Sequence, residues 1–314
     1  MIDQPSASTR SPASPPARQP ASPAQRRLKL YRSSDDWQDQ PRNGSRAEQV
    51  PPVPPDLSGA DLRKQDFSGR NWQGINLSRA YLSGANLSAA QLKAATLIQA
   101  NLYEANLRDA DLAEANLTDA HLIGADFTGA DLPSAILRAA DLREAILVKA
   151  NLNHADLIGA DLRAANLSLA DLSEANLMRA NLSRANLSKI SAYAANFSRA
   201  QLWQADLIAA QLAKASLYCA NLSGANLIRA VLTGSTLVEA RFERANLSYA
   251  DLSRANLSGA NLRSANLRGA NLSRASLKQA DLSNANLTGA ILFKADLTGA
   301  ILTGAILPKA TCSE

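Results

Sequence analysis

From Leu57 onward an apolar side chain returns at every fifth residue, at 57, 62, 67 and so on to 307, without one insertion or deletion. Of these 51 consecutive units, 45 centre on Leu; Phe67, Trp72, Phe127, Ala192, Phe197 and Phe242 are the exceptions. Two residues before the centre stands Ala in 45 units, and between the two stands Asn or Asp in 34. The two positions after the centre are mostly Ser, Arg, Gly, Thr, Glu and Lys. The unit is therefore A-(N/D)-L-x-x.

A period of five suits neither regular element. Residues five apart on an α-helix are rotated by about 140°, so the leucines would spiral round it and form no stripe. In a flat strand they would alternate between faces. A one-sided core forms only if the chain turns once per unit and brings every leucine back to the same interior, which makes a solenoid. Within a unit, the centre and the residue two before it share a face, so Leu and Ala both point inward. The Asn/Asp and the x residues point outward or lie at the corner. One unit supports this reading: Ile190 replaces the small Ala and Ala192 the large Leu, a volume-conserving exchange that a shared tight interior requires.

The unit, as in Ala105-Asn106-Leu107, Ala155-Asp156-Leu157 and Ala265-Asn266-Leu267, resembles the pentapeptide-repeat family over residues 55–310. The resemblance implies an all-β chain folded as a right-handed quadrilateral β-helix with four units per coil. Its 51 units then make about thirteen coils, a rod roughly 60 Å long at a spacing of about 4.8 Å per coil. Solenoid ends are the weak places, because a terminal coil leaves backbone groups unpaired. Both ends here are atypical. The first coil has Gln65, Arg70 and Ile75 in place of Ala, with bulky Phe67 and Trp72 as a plug. The last coil has Ile at the outward site three times, at Ile291, Ile301 and Ile306, beside Phe293. Repeat decay would account for that; an end contact for a second copy of the chain is the preferred expectation, in line with family members that dimerise through their C-terminal coils.

Residues 1–54 differ in kind. They hold ten of the thirteen prolines, are rich in Ser, Ala, Arg and Gln, and lack aliphatic periodicity, so a disordered tail is expected. Arg26, Arg27, Lys29 and Arg32 around Leu28, Leu30 and Tyr31 suit either a solvated linker or a docking motif, regulated at Ser11-Pro12, Ser14-Pro15 and Ser22-Pro23. A transit peptide is a third reading, opposed by the prolines. Residues 311–314 form a short C-terminal tail. No window of 18 apolar residues predicts a membrane span, and no apolar leader predicts secretion. Cys219 and Cys312 are too few and too far apart for a disulfide framework, so a cytoplasmic chain is expected.

Chemistry is sparse. His121 and His154 fall on different sides and have no ligand partners at metal spacing, Cys219 sits at an outward position without cations around it, and no nucleophile–base order or phosphate-binding loop emerges. The Asn-Leu-Ser triplets at Asn76 and Asn86 are a by-product of the repeat. No enzyme, cofactor or metal is expected.

Charge separates the remaining readings. Residues 101–176 carry thirteen Asp/Glu against five Lys/Arg, and residues 179–278 thirteen Lys/Arg against four Asp/Glu. Folded on four sides, one side gathers Asp111, Glu114, Asp131, Asp171 and Glu174, a candidate acidic partner face. The basic residues spread over all four sides as a collar, with Arg184, Arg241, Arg244 and Arg263 on one. A protein-binding scaffold with an unidentified protein partner is the leading expectation. An alternative is a DNA mimic that binds a type II topoisomerase (gyrase) through the acidic face, as the family's best-known members do. Five charges over about 15 Å are, however, about half the density of duplex DNA, and no inserted loop interrupts the repeat. Nucleic-acid binding by the basic half is a further alternative, weakened because Tyr193, Trp203 and Tyr218 fall on three different sides and make no stacking platform.

Overall fold

The computed structural model describes residues 56–308; the proposed tails at 1–54 and 311–314 lie outside the described residues. Parallel β-bridges join each Asn/Asp position to the one twenty residues later, from Asp56↔Asn76 through Asn286↔Ile306. Four units therefore make one coil, and the solenoid is a square β-helix. Its four sides are numbered by the first-coil centres: side 1 from Leu57, side 2 from Leu62, side 3 from Phe67 and side 4 from Trp72. The strands are minimal. Each side pairs as a single bridge between turns, and no helix occurs among the described residues.

The turn explains the unit. Ala60 N–H donates to the Leu57 carbonyl at 3.1 Å, closing a four-residue turn over Ser58 and Gly59, and this bond recurs once per unit along the solenoid. The third residue of each turn has positive φ, at every fifth position from Gly59 (65°) to Gly304 (70°). Positive φ at that position alone, with the closing bond, is the type II pattern. All fourteen glycines of the described residues sit there, and no Val, Ile or Thr does, although thirteen occupy the position just before. Branching at Cβ is poorly tolerated in the left-handed region but harmless one residue earlier. Pro133 stands at that earlier position, where its fixed φ suits the turn.

The Asn/Asp preference has its own cause. The side-chain oxygen accepts the N–H two residues on, as in Ser58 N–H to Asp56 Oδ1 (2.9 Å) and Ser168 N–H to Asn166 Oδ1 (3.1 Å). This Asx cap satisfies a turn donor that no ladder reaches. Between coils, Leu57 N–H donates to the Asn76 carbonyl (2.8 Å) and Tyr81 N–H to the Ala60 carbonyl (2.9 Å), a ladder repeated upward with little variation.

The interior is the Ala and Leu columns, with 0–1% exposure from Ile75 to Leu287. Ile190 and Ala192 are both wholly buried, as the exchanged sizes predict. Ser235, a polar residue in an Ala seat, donates its hydroxyl to the Leu232 carbonyl at 2.7 Å and so leaves no unmet donor. The two ends differ. At the first coil Phe67 and Trp72 pack with ring centroids 4.5 Å apart, and Leu57 and Leu62 are buried. At the last coil Leu292, Leu297 and Leu302 are only half-buried.

Candidate interaction surfaces

Side 4 assembles the predicted acidic face. Asp111 bridges Asp131, Asp131 bridges Asn151, and Asn151 bridges Asp171, so the three carboxylates stand in one column. Ala113 N–H and Ser173 N–H donate to Asp111 and Asp171, respectively. Asp131 has Pro133 where that donor would be, and takes a hydrogen bond from Asn151 Nδ2 instead (2.6 Å). Glu114 and Glu174 stand in the neighbouring corner column at positive φ and are exposed. Two partners on this side were not foreseen from sequence. Lys93 Nζ lies 3.3 Å from Glu114, and His154 Nδ1 lies 3.5 Å from Glu174. Both follow from the twenty-residue coil, which places 93 next to 113 and 154 next to 174.

Side 2 carries Arg184, Arg241, Arg244 and Arg263, and most of that charge is engaged. The Arg184 guanidinium lies 4.9 Å from the Trp203 ring centroid, Arg263 lies 3.2 Å from Asp281, and Arg241 lies 3.9 Å from Glu243. Tyr193, Trp203 and Tyr218 occupy sides 4, 2 and 1, and Tyr193 accepts a 2.8 Å hydrogen bond from Lys214 Nζ, which raises the lysine's pKa. These aromatics do not line one groove.

The C-terminal coil gathers the predicted end contact. Ile291 and Phe293 lie on side 4, Ile301 on side 2 and Ile306 on side 3, between 49% and 59% exposed. They ring the half-buried leucines. Leu307, 51% exposed, belongs with them and was not singled out from sequence. The sum is an apolar end layer beside amides that pair with a following coil everywhere else in the solenoid. Such an end suits another apolar, hydrogen-bonding surface.

His121 bridges Asp141 on side 2, whereas His154 is on side 4, so the two do not converge. Cys219 Sγ donates to Glu239 Oε2 at 3.2 Å. Among the described residues no cluster of three His, Cys, Asp or Glu side chains is arranged to hold a metal ion. Among the same residues, no helix is long and apolar enough to cross a membrane.

A family model described as pentapeptide repeats matches eight times, over 60–99, 100–138, 135–173, 155–191, 195–234, 225–263, 235–274 and 270–308. No curated protein matches. Among solved structures, the chain is similar to HetL from Nostoc sp. strain PCC 7120, a pentapeptide repeat protein involved in heterocyst differentiation regulation. The two are 38% identical over 80% of this chain and 94% of that one, with a TM-score of 0.27. A pentapeptide repeat protein from the Arabidopsis thaliana thylakoid lumen is 31% identical over 37% of this chain and 71% of its own (TM-score 0.24). The plasmid-mediated fluoroquinolone resistance protein QnrB1 is 19% identical over 81% and 92% (TM-score 0.18).

Proposed function

Because the chain belongs to the pentapeptide-repeat family, we propose that it is a non-enzymatic protein-binding scaffold, a right-handed β-helix of about thirteen coils that presents partners with fixed outer surfaces. The observation that carries this reading is the asymmetry of the ends. The first coil is plugged by Phe67 and Trp72, while the last offers Ile291, Phe293, Ile301, Ile306 and Leu307 around an open leucine layer. A second copy of the chain meeting this end would bury both layers and pair their backbone edges. The acidic column of side 4 is a second surface, suited to basic residues of a protein partner. The reading keeps the chain in the cytoplasm, with Cys219 a free thiol.

The scaffold reading is tested by capture of partners on the full chain, with a side 4 variant carrying Asp111→Asn, Asp131→Asn and Asp171→Asn in parallel. A partner lost from the variant supports the acidic surface; capture of the same proteins by both removes it. Repeating the capture without residues 1–54 reads any contribution of that segment.

One observation favours a second reading, a DNA mimic for a type II topoisomerase: Asp111, Asp131 and Asp171 are aligned in one column. Lys93 at Glu114 and the basic half above lower the field it would offer. Gyrase supercoiling that stays fully quinolone-sensitive with the protein added removes this reading. Nucleic-acid binding through Arg184, Arg241, Arg244 and Arg263 is weaker still, since three of the four have partners; absence of a duplex mobility shift at low salt removes it.

A further inference from the structure

Side 4 continues above its acidic column, and there its charge reverses. The corner column that carries Glu114 and Glu174 carries Lys214, Arg254, Arg274 and Lys294 farther up, separated from the acids by Ala194. These residues share one backbone conformation, with φ between 55° and 60°, so their side chains leave the solenoid in one direction. All are exposed. Arg254 and Arg274 have no side-chain hydrogen bond or ion pair among the described residues. Among the described residues the only carboxylate on the upper half of side 4 is Asp251, half-buried and hydrogen-bonded by Ser253, Thr233 and Asn271. On the other three sides each half mixes both signs, whereas the two basic residues of lower side 4, Arg70 and Lys93, both lie below its first acid, Asp111.

The two charged blocks are placed symmetrically. Counting coils of twenty residues from the unit Ile190-Ser191-Ala192-Tyr193-Ala194, Glu174 lies one coil below and Lys214 one coil above. Glu114 lies four below and Arg274 four above. We infer that side 4 docks antiparallel on side 4 of a second copy of this chain, about a two-fold axis through the 190–194 unit. A two-fold lying across the side keeps each column opposite itself and reverses the coil order. Glu174 then meets the second copy's Lys214, and Glu114 its Arg274, each contact made twice.

The remaining positions fit this register. His154 falls opposite Gly234, and in the Asn/Asp column Asp171 faces Gln211 and Asp111 faces Asn271. Asp131 faces Asp251, whose carboxylate its own donors already hold, and Arg254 of the same coil lies beside the two acids. Tyr193, 44% exposed and held by Lys214, comes to the axis and stacks against its own copy. At the rim Lys93 comes opposite Phe293 and beside Lys294, where water screens the like charges.

The contact is narrow. A side roughly 10 Å wide and about 40 Å long offers on the order of 400 Å² per copy, below the size of a stable interface. Charge rather than apolar area drives it, so it forms at low ionic strength and is lost as salt rises. It goes beyond the end contact, which is apolar and persists in salt.

The test uses the full chain carrying Ile301→Asp and Ile306→Asp, so that the end contact does not contribute. Two further variants are built on it, one with Glu114→Lys and Glu174→Lys, the other with Lys214→Glu and Arg274→Glu. All four sites are exposed corners, and circular dichroism checks that the fold is kept. By sedimentation equilibrium at about 20 mM salt and a protein concentration of several hundred micromolar, the background protein is expected to dimerise. Each charge variant alone should weaken the dimer by about tenfold or more. An equimolar mixture of the two should recover it, because every reversed site then faces its opposite. A background protein that stays monomeric, or a mixture no more associated than its components, overturns the proposal.

Discussion

Ile190 and Ala192 have exchanged seats: the large side chain fills the small column and the small one the large column, and both are wholly buried. The backbone yields slightly to this. The turn bond from Ile190 N–H to the Leu187 carbonyl is 3.4 Å, against 3.0 Å for the corresponding bonds of Ala175 and Ala180. The same bond is 3.4 Å at Gln65 but 3.2 Å at Arg70 and 3.1 Å at Ile75, so a long side chain in an Ala seat does not by itself stretch the turn. The exchange keeps the volume of the 190–192 unit inside the solenoid with both side chains fully buried.

Ala192→Leu alone overfills that layer and should destabilise the protein by about 1–3 kcal/mol. Ile190→Ala alone opens a cavity and should cost about 2–5 kcal/mol. The double variant restores the common unit, so the sum of the two single effects should exceed its effect by about 0.5–3 kcal/mol. Denaturant unfolding of the four proteins measures this coupling, and simple additivity would show that the two seats do not share one space.

The corner conformation gives a second prediction. Gly159 has φ of 68°, and a Cβ there would meet nothing within 4 Å, so only backbone strain opposes a side chain. Gly159→Val should cost about 1–3 kcal/mol and Gly159→Asn much less, since Asn tolerates the left-handed region. Thermal melts that rank Val no worse than Asn would contradict the turn assignment.

Most of this fold was legible because its cause is local. One turn per five residues follows from the spacing of Leu57, Leu62 and their successors, and the inward pair follows from the alternation of Ala and Leu. The number of sides was not legible from spacing alone, because a coil of three or five units has the same period. It came from the family resemblance, and the bridge from Asp56 to Asn76 bears it out. The turn type could have been read from the confinement of Val, Ile and Thr to one of the two x positions. The candidate surfaces were legible as lists, but their neutralising partners were not. Lys93 reaches Glu114, and Arg263 reaches Asp281, across coils, where contact depends on how long side chains lean.

Acid should weaken the solenoid. Asp141 is held below the ordinary carboxylate range chiefly by the Arg143 guanidinium, whose hydrogen bonds at 2.7 and 2.8 Å outweigh burial. For Asp126 and Asp251, burial pushes upward, but hydrogen bonds from Thr128 and Arg108, and from Ser253 and Thr233, more than offset it. A carboxyl whose folded pKa lies below its unfolded value stabilises the fold fully above the unfolded value, about pH 4, and ceases to do so as pH falls through the folded value. Melting temperature should therefore hold steady at neutral pH and drop below about pH 4. The triple variant Asp126→Asn, Asp141→Asn and Asp251→Asn keeps the turn caps that Asn provides elsewhere. It should melt lower at neutral pH and show a shallower acid decline; an unchanged decline would place the acid sensitivity elsewhere.

The claim that the open end is a binding surface is tested most directly by sedimentation velocity of the full chain against its Ile301→Asp/Ile306→Asp variant, in about 0.5 M salt, where charge contacts are screened. A dimer is expected for the native chain and a monomer of unchanged fold for the variant. Equal masses for the two proteins would contradict it.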